Sequence, residues 1–260
     1  MKLQIDVALE YNFPATSDVL LQLEAADIPE QAIENAHIDI SPTEHFARVA
    51  GQDCIGERIW LRVQDKLTVN YTARVAINRL VGDLMALPAV PTHMLPGETV
   101  QYMLPSRYCP SDRLQNFVES RFAGTEGGAR AEAIRDWIAS QFTYRPGTST
   151  ATTGALETLV SREGVCRDFA HVMIALLRAS AIPARFVSVY APGVQPQDFH
   201  AVAEIFLDGT WYLADATGMA RPEAMAKIGV GRDAADVPFL TAYGNAEMQL
   251  QQIEVTELDG

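Results

Sequence analysis

The chain has 260 residues, of which 48% are hydrophobic and 20% are charged, and this composition is typical of a folded globular protein with a sizeable core. Its formal net charge is −13 at pH 7, and no run of lysine and arginine is present. Because nucleic acids and anionic membrane surfaces are bound through basic patches, we expect neither kind of partner.

The N-terminal segment and the cysteines indicate the cellular setting. The first ten residues alternate apolar and polar side chains, whereas a secretory signal needs a continuous apolar stretch. The longest apolar runs are too short to span a bilayer. The three cysteines, Cys54, Cys109 and Cys166, are an odd number without C-x-x-C spacing, so they predict neither a disulfide framework nor a structural zinc site. We therefore expect a cytoplasmic protein; the sequence does not predict its oligomeric state.

The first hundred residues have the alternating pattern of β-strands. Turn residues separate the alternating segments, as at Asn12-Phe-Pro14. A proline-dense passage, from Pro88 to Pro110, then favours a boundary, because proline removes backbone donors and interrupts helices. We predict a β-sandwich-like N-terminal domain over residues 1–100. Its predicted strands are 3–11, 19–23, 58–63 and 67–77.

Beyond the prolines, helical periodicity is followed by short apolar strands. This order predicts an α+β fold and a second, catalytic domain over residues 101–260. The predicted helices are 112–122, 129–142, 154–160 and 165–179, and the predicted strands are 184–190, 200–207 and 210–216.

Cys166 lies in the first turn of the longest predicted helix, directly after Gly164-Val165. The unpaired N–H groups and the dipole at a helix N-terminus favour a negative charge there, and so favour a thiolate. The alternative is a small side chain that packs in the core. His171, five residues later, is about 140° away around the helix axis, so it is predicted to face elsewhere and to be structural.

A predicted hairpin brings His200 and Asp215 together. Asp208-Gly209 between two apolar segments is typical of a two-residue type I′ turn. Leu207 would then pair with Thr210, which places His200 and Asp215 on one face with their Cβ atoms about 7 Å apart or less. With Cys166 these residues form a candidate nucleophile, base and orienting carboxylate. A zinc site built from the same three residues is an alternative, although no fourth ligand stands out.

Four motifs, in chain order, resemble the bacterial transglutaminase-like family, whose catalytic layout is similar to that of papain-type cysteine peptidases. The resemblance spans about residues 102–219. The motifs are G-V-C-R-D-F-A-H at 164–171, R-A-S-A-I-P-A-R-F-V at 178–187, D-F-H-A-V-A-E at 198–204 and W-Y-L-A-D-A-T at 211–217.

The resemblance implies a papain- and transglutaminase-like α+β core, with helices packed on an antiparallel sheet, preceded by a β-rich region. It places the family's nucleophile on Cys166, its histidine on His200 and its aspartate on Asp215. Arg167 departs from eukaryotic transglutaminases, which have tryptophan after the cysteine, and Val202 departs from relatives with an aromatic residue there. No loop has calcium-ligand spacing. No cofactor or metal is therefore expected.

The expected chemistry is acyl transfer through a thioester, on a peptide or protein substrate. Water as acceptor gives a cysteine peptidase or amidase, and this is the predicted activity. An amine as acceptor gives a true transglutaminase, and a non-catalytic binding module on the same fold is the further alternative. The backbone N–H of Cys166 is one expected oxyanion donor, and the sequence does not identify the second.

Overall fold

Two very long strands near the start of the chain organise the first sheet. The computed structural model describes residues 1–258. The first and fourth strands pair antiparallel over almost their whole length, from Lys2 opposite Ala76 to Leu21 opposite Ile59. Alternate side chains along both are buried, as the period-two pattern predicts. The six strands of this sheet are β1 (Lys2–Leu21), β2 (Gln31–Ile40), β3 (His45–Ala50), β4 (Glu57–Ile77), β11 (Leu240–Ala242) and β12 (Glu247–Leu258).

The predicted turn at Asn12-Phe-Pro14 is wrong. β1 continues through it with a register shift between Phe13 and Ser17, and β4 likewise joins the predicted strands 58–63 and 67–77. Asp65 of β4, opposite Phe13, has a φ of 62°. A bulge leaves residues out of the hydrogen-bond ladder, so Pro14 can be accommodated in the strand without a backbone donor.

The predicted domain division also needs correction. β12 pairs with β1 from Lys2–Leu258 to Asn12–Glu247, and β11 pairs with the second half of β1. Residues 240–258 therefore belong to the first sheet, although the sequence assigned them to the domain 101–260. The N-terminal region is one continuous six-stranded sheet instead of a separate two-sheet sandwich. Strand pairing across more than 200 residues depends on tertiary contacts that local patterns do not contain.

The middle of the chain forms the second layer. Its four-stranded antiparallel sheet has the order β10-β7-β8-β9, and β5 and β6 form a separate two-stranded parallel pair. Within residues 1–258, every helix falls short of the length and apolarity needed to cross a bilayer. The elements are α1 (Gln115–Arg121), α2 (Gly127–Gln141), β5 (Thr143–Tyr144), α3 (Ala155–Ser161), β6 (Glu163–Gly164), α4 (Cys166–Ala179), β7 (Ala184–Tyr190), β8 (His200–Leu207), β9 (Thr210–Ala214) and β10 (Ala226–Gly231).

The four-stranded sheet is covered on both faces. α4 packs on β7 and β8 from one side, where its apolar residues join the largest core cluster. The residues of the other face, among them Val187, Val202 and Val230, form a separate buried cluster, while Tyr190 and Ile228 join the core cluster of β1 and β4. All seven residues of β7 are accordingly buried. The architecture is α+β with helices on an antiparallel sheet, as the sequence predicted.

Candidate active site

Cys166 is the first residue of α4, as predicted. The fully buried carboxylate of Asp168 fixes this helix start, because it accepts hydrogen bonds from the Val165 N–H and the Ser149 hydroxyl, each at 2.9 Å. A Cβ on Gly164 would lie 2.7 Å from the Asp168 Cβ, so the close approach of β6 to α4 requires glycine. Cys166 itself is half-buried and lines a cleft. The local sequence thus presents a thiol at a rigid helix N-terminus.

The hairpin that carries His200 and Asp215 has the predicted turn and register. Asp208 and Gly209 have φ values of 47° and 79°, as a type I′ turn requires, and Leu207 pairs with Thr210. β9 ends at Ala214, one residue before the carboxylate. Nε2 of His200 nevertheless lies 2.9 Å from Oδ2 of Asp215, and both side chains are buried. The predicted proximity of the two side chains is confirmed.

Further donors hold the Asp215 carboxylate in place. Its Oδ1 accepts hydrogen bonds from the backbone N–H and the hydroxyl of Thr217, both at 2.8 Å, and Oδ2 accepts one from the Ala220 N–H at 2.9 Å. Burial would raise the pKa of Asp215, but the His200 and Thr217 donors outweigh burial and lower it. Asp215 is therefore a fixed carboxylate facing the imidazole. The sequence signal for Thr217 is the Asp-x-Thr spacing of a local side-chain turn.

The pKa of His200 lies far from its ordinary value. Burial opposes its protonation, yet the hydrogen bond to Asp215 and the neighbouring Cys166 outweigh burial and raise its pKa to about 10. Since Asp215 engages Nε2, Nδ1 is the ring nitrogen left for the thiol. Nδ1 is buried and has no hydrogen-bond partner within residues 1–258. Such contacts are commonly long in ligand-free enzymes and shorten when substrate binds.

Cys166 and His200 open into the same cleft, whose volume is about 550 Å³. Its walls are mainly apolar, with Phe186, Val237 and Phe239 among them. A cavity of about 410 Å³ on the far side of Asp215 is bordered instead by Arg79, Arg135 and Arg221. The first cleft is the candidate site, because Cys166 and His200 both line it.

Tyr144 is a site residue that the sequence reading missed. The parallel pairing of β5 with β6 places Tyr144 opposite Gly164, two residues before Cys166, and its ring packs 6.1 Å from that of Phe169. Burial, together with the charge of Cys166, raises the pKa of Tyr144 to about 12, so its hydroxyl stays protonated. Only the pairing of two two-residue strands creates this contact, and no local pattern signals it.

Arg167 does not take the place of the missing tryptophan at the sulfur. Its guanidinium donates to the Ser149 hydroxyl and the Thr150 carbonyl at 3.0 Å and to the Thr153 carbonyl at 3.1 Å. It also lies over the Tyr108 ring, 4.5 Å from the centroid. Arg167 therefore fixes the loop 149–153 at one end of the cleft.

The other two cysteines and His171 occupy different surroundings. Cys54 is exposed, whereas Cys109 is fully buried and burial raises its pKa to about 12. His171 is fully buried beneath the cleft, where its Nε2 accepts the Ala234 N–H at 3.2 Å and its ring stacks on Tyr108. The predicted structural role of His171 agrees with these contacts.

The arrangement does not favour the alternative zinc site. The carboxylate of Asp215 is hydrogen-bonded to Nε2 of His200, so it is not placed to bind a metal together with the sulfur and Nδ1, which leaves only two candidate ligands. Within the described residues, 1–258, no group of three or more His, Cys, Asp and Glu side chains is placed to hold a metal ion.

Comparison with known proteins identifies the family. Residues 115–216 match the model of the transglutaminase-like superfamily. The crystal structure of a candidate cysteine protease from Cytophaga hutchinsonii is 32% identical, with a TM-score of 0.92 over 100% of this chain and 91% of that one. The chain belongs to the transglutaminase-like superfamily.

Uncharacterised mycobacterial proteins are also similar. The Mycobacterium bovis protein is 35% identical over 144 residues, which are 48% of this chain and 46% of that protein. The Mycobacterium leprae protein is 30% identical over 171 residues, 61% of each chain. The chain thus spans about half the length of the first of these relatives and less than two thirds of the second.

Proposed function

We propose that the protein is a thiol-dependent hydrolase of peptide or carboxamide bonds, with Cys166 as nucleophile, His200 as acid and base, and Asp215 as the residue that orients the imidazole. One observation carries the proposal. The thiol at the start of α4 shares a cleft with an imidazole whose other nitrogen is hydrogen-bonded to a buried, multiply held carboxylate. This constellation is that of an activated nucleophile, a base and an orienting group.

The proposed reaction begins from a thiolate and an imidazolium. The sulfur of Cys166 attacks the carbonyl carbon, a C–S bond forms, and the oxygen takes up the negative charge. As the C–N bond breaks, His200 transfers its Nδ1 proton to the departing amine, which leaves a thioester on Cys166. Water then attacks the thioester and gives a proton to His200, so that the acid is released and the thiolate and imidazolium are restored.

Two donors are available for the developing oxyanion. The backbone N–H of Cys166 lies in the first turn of α4, where N–H groups lack intrahelical partners. We assign the second donor to the protonated hydroxyl of Tyr144, because its strand pairs with Gly164 and because Cys166 is near enough to raise its pKa. Such donors act on the charge that exists only in the transition state and its neighbouring intermediate.

The test is the pH dependence of iodoacetamide labelling at each cysteine, located by mass spectrometry, in the native protein and in His200→Ala. We expect Cys166 to be labelled readily below about pH 8 and to lose this reactivity in the variant. The exposed Cys54 is the internal control and should behave alike in both proteins. If Cys166 followed Cys54 in both proteins, the triad would be refuted and the binding-module alternative would gain support.

The acceptor is tested by trapping. A peptide amide that acylates Cys166 should partition between the acid and, when hydroxylamine is added, the hydroxamate. We expect the acid without added amine, which defines a peptidase or amidase. An acyl-enzyme that persists in water and is discharged only by amines would instead define a transglutaminase.

A further inference from the structure

The candidate cleft contains a carboxylate that the proposed reaction does not use. Asp198 lies two residues before His200 and lines the same cavity as His200 and Cys166. It is half-buried and lies just before β8. Its carboxylate contacts Gln251 of β12, a strand of the first sheet that the sequence did not predict. Both layers of the molecule thus contribute to this end of the cleft.

The hydrogen bonds of Asp198 are one-sided. Its Oδ1 accepts the backbone N–H of Phe199 and the side-chain amide of Gln251, each at 2.7 Å. Across residues 1–258, Oδ2 accepts no hydrogen bond, and no lysine or arginine forms an ion pair with this carboxylate. Burial raises the pKa of Asp198, although the two donors and His200 counteract it. The site therefore holds a fixed, partly desolvated acceptor with one oxygen available to a ligand.

Aromatic rings line the same cleft as Asp198. Phe199 and Phe239 stack with their centroids 4.6 Å apart and line the cavity together with Phe186. The arginine of the cleft, Arg167, is held by the loop 149–153 and does not pair with Asp198. A carboxylate in a cleft lined by aromatic rings can bind an ammonium group, through a charge-assisted hydrogen bond and through cation–π contact.

We propose that Asp198, with Phe199 and Phe239, binds an ammonium group of the peptide substrate beside the reacting carbonyl. The ammonium is either the N-terminal amino group or a lysine side chain. This inference rests on the proposed function, since it defines a subsite of the same cleft. The net charge of −13 favours the approach of such cationic substrates.

The first experiment measures how the charge of a small reagent changes its reaction with Cys166. The 2-aminoethyl, 2-hydroxyethyl and 2-sulfonatoethyl methanethiosulfonates transfer their thioalkyl group to the thiolate, forming a disulfide and releasing methanesulfinate. We expect the cationic reagent to react about tenfold faster than the neutral one, and the anionic reagent to react more slowly still. Rates are followed at Cys166 by mass spectrometry, with Cys54 as the internal reference.

The decisive variant is Asp198→Asn. Asparagine keeps an oxygen for the Phe199 N–H and the Gln251 amide but removes the charge, so the fold should persist while the cationic preference disappears. Glu254→Gln removes the same charge from an exposed position on β12 and should leave the preference intact. Equal preference in the native protein and Asp198→Asn, or no preference in the native protein, would overturn the proposal.

The source of the ammonium is tested by protection of Cys166 against iodoacetamide. Phe-Leu-amide has a free N-terminus, acetyl-Phe-Lys-amide has only the lysine amine, and acetyl-Phe-Leu-amide is the neutral control. We expect one amine-bearing peptide to protect at about tenfold lower concentration than the control, and only in proteins that retain Asp198. If neither protects better than the control, the subsite does not bind an ammonium.

Failure of the subsite and failure of the proposed function would look different. If the triad assignment is wrong, all three reagents label Cys166 slowly and His200→Ala changes none of the rates. If only the subsite is wrong, the labelling depends on His200 but is the same for cationic and neutral reagents.

Discussion

Two histidines of the second layer are equally buried, yet their pKa values shift in opposite directions. His171, in the middle of α4, is 0% exposed, and His200, at the start of β8, is 1% exposed. Burial and the nearby charges of Arg167 and Arg178 lower the pKa of His171 well below its ordinary value. The pKa of His200 rises to about 10 against the same desolvation.

The difference lies in the partners of each ring. Nε2 of His171 accepts a neutral backbone N–H from Ala234, which an imidazolium could not do. Nε2 of His200 faces the Asp215 carboxylate, which stabilises the cation. A carboxylate one residue beyond a hairpin strand thus decides which of the two buried histidines is stabilised as a cation. His171 instead supports Tyr108 and Ala234 beneath the cleft.

Removing that carboxylate tests the comparison most severely. Asp215→Ala should lower the turnover rate by about 10²- to 10⁴-fold, because the imidazole loses its orientation and the stabilisation of its charge. Asp215→Asn keeps an oxygen near His200, so its turnover rate should fall less than that of Asp215→Ala. By NMR titration, the pKa of His200 should fall below about 10 in both variants, while the His171 signals stay unchanged.

The same pair predicts a window of pH-dependent stability. The raised pKa of His200 contributes stability that is fully present below 6.5 and is lost as pH rises through about 10. The lowered pKa of Asp215 contributes stability that is present above 3.8 and is lost as pH falls. The difference in unfolding free energy between the native protein and Asp215→Ala should therefore be largest between pH 3.8 and pH 6.5. A constant difference across pH 4 to 10 would contradict the ion pair.

Two tyrosines, Tyr144 near Cys166 and Tyr108 stacked on His171, give a further test of the comparison. Tyr144→Phe should lower kcat by about 10²- to 10³-fold with little change in KM, because its hydroxyl is assigned to the oxyanion. Tyr108→Phe is the matched control: it removes a hydroxyl that donates to the Ala151 carbonyl at 2.8 Å but leaves the ring stacked on His171. If the two variants lost activity equally, Tyr144 would be only a packing residue.

The parts of the site that the sequence predicted depend on local rules. The start of α4 follows from Gly164, the apolar run and an acidic third residue, Asp168, which caps the helix. The closeness of His200 and Asp215 follows from a two-residue turn, which fixes the register of every opposed pair. Each rule acts within about 20 residues, so no tertiary information was needed.

The parts that were missed depend on distant pairing. β12 carries Gln251 to Asp198 from a distant part of the chain, and the predicted division at residue 100 separated β12 from β1, the strand with which it pairs. Tyr144 reaches Cys166 only through the short β5-β6 pair. The sequence pattern of β12 does not indicate a strand clearly, since its first four residues are exposed and only Ile253 and Val255 are buried.

The smallest expected effect is the contribution of His171 to the pH dependence of stability. Its pKa lies below 6.5 in the folded protein, so the unfolded state binds the proton first, and stability should be lost as pH falls below 6.5. His171→Gln offers an uncharged acceptor to the Ala234 N–H and removes this titration. Between pH 6.5 and 5.5, the native protein should lose about 1 kcal/mol more unfolding free energy than the variant, measured by urea denaturation.

His45→Gln is the control for that measurement, because it makes the same substitution at an exposed position on β3. Cys166 labelling in His171→Gln should keep its dependence on His200, since the two rings have separate partners. A loss of labelling at neutral pH in a folded His171→Gln protein would show that the two histidines act as one unit, and their opposite pKa shifts would then describe a single coupled network.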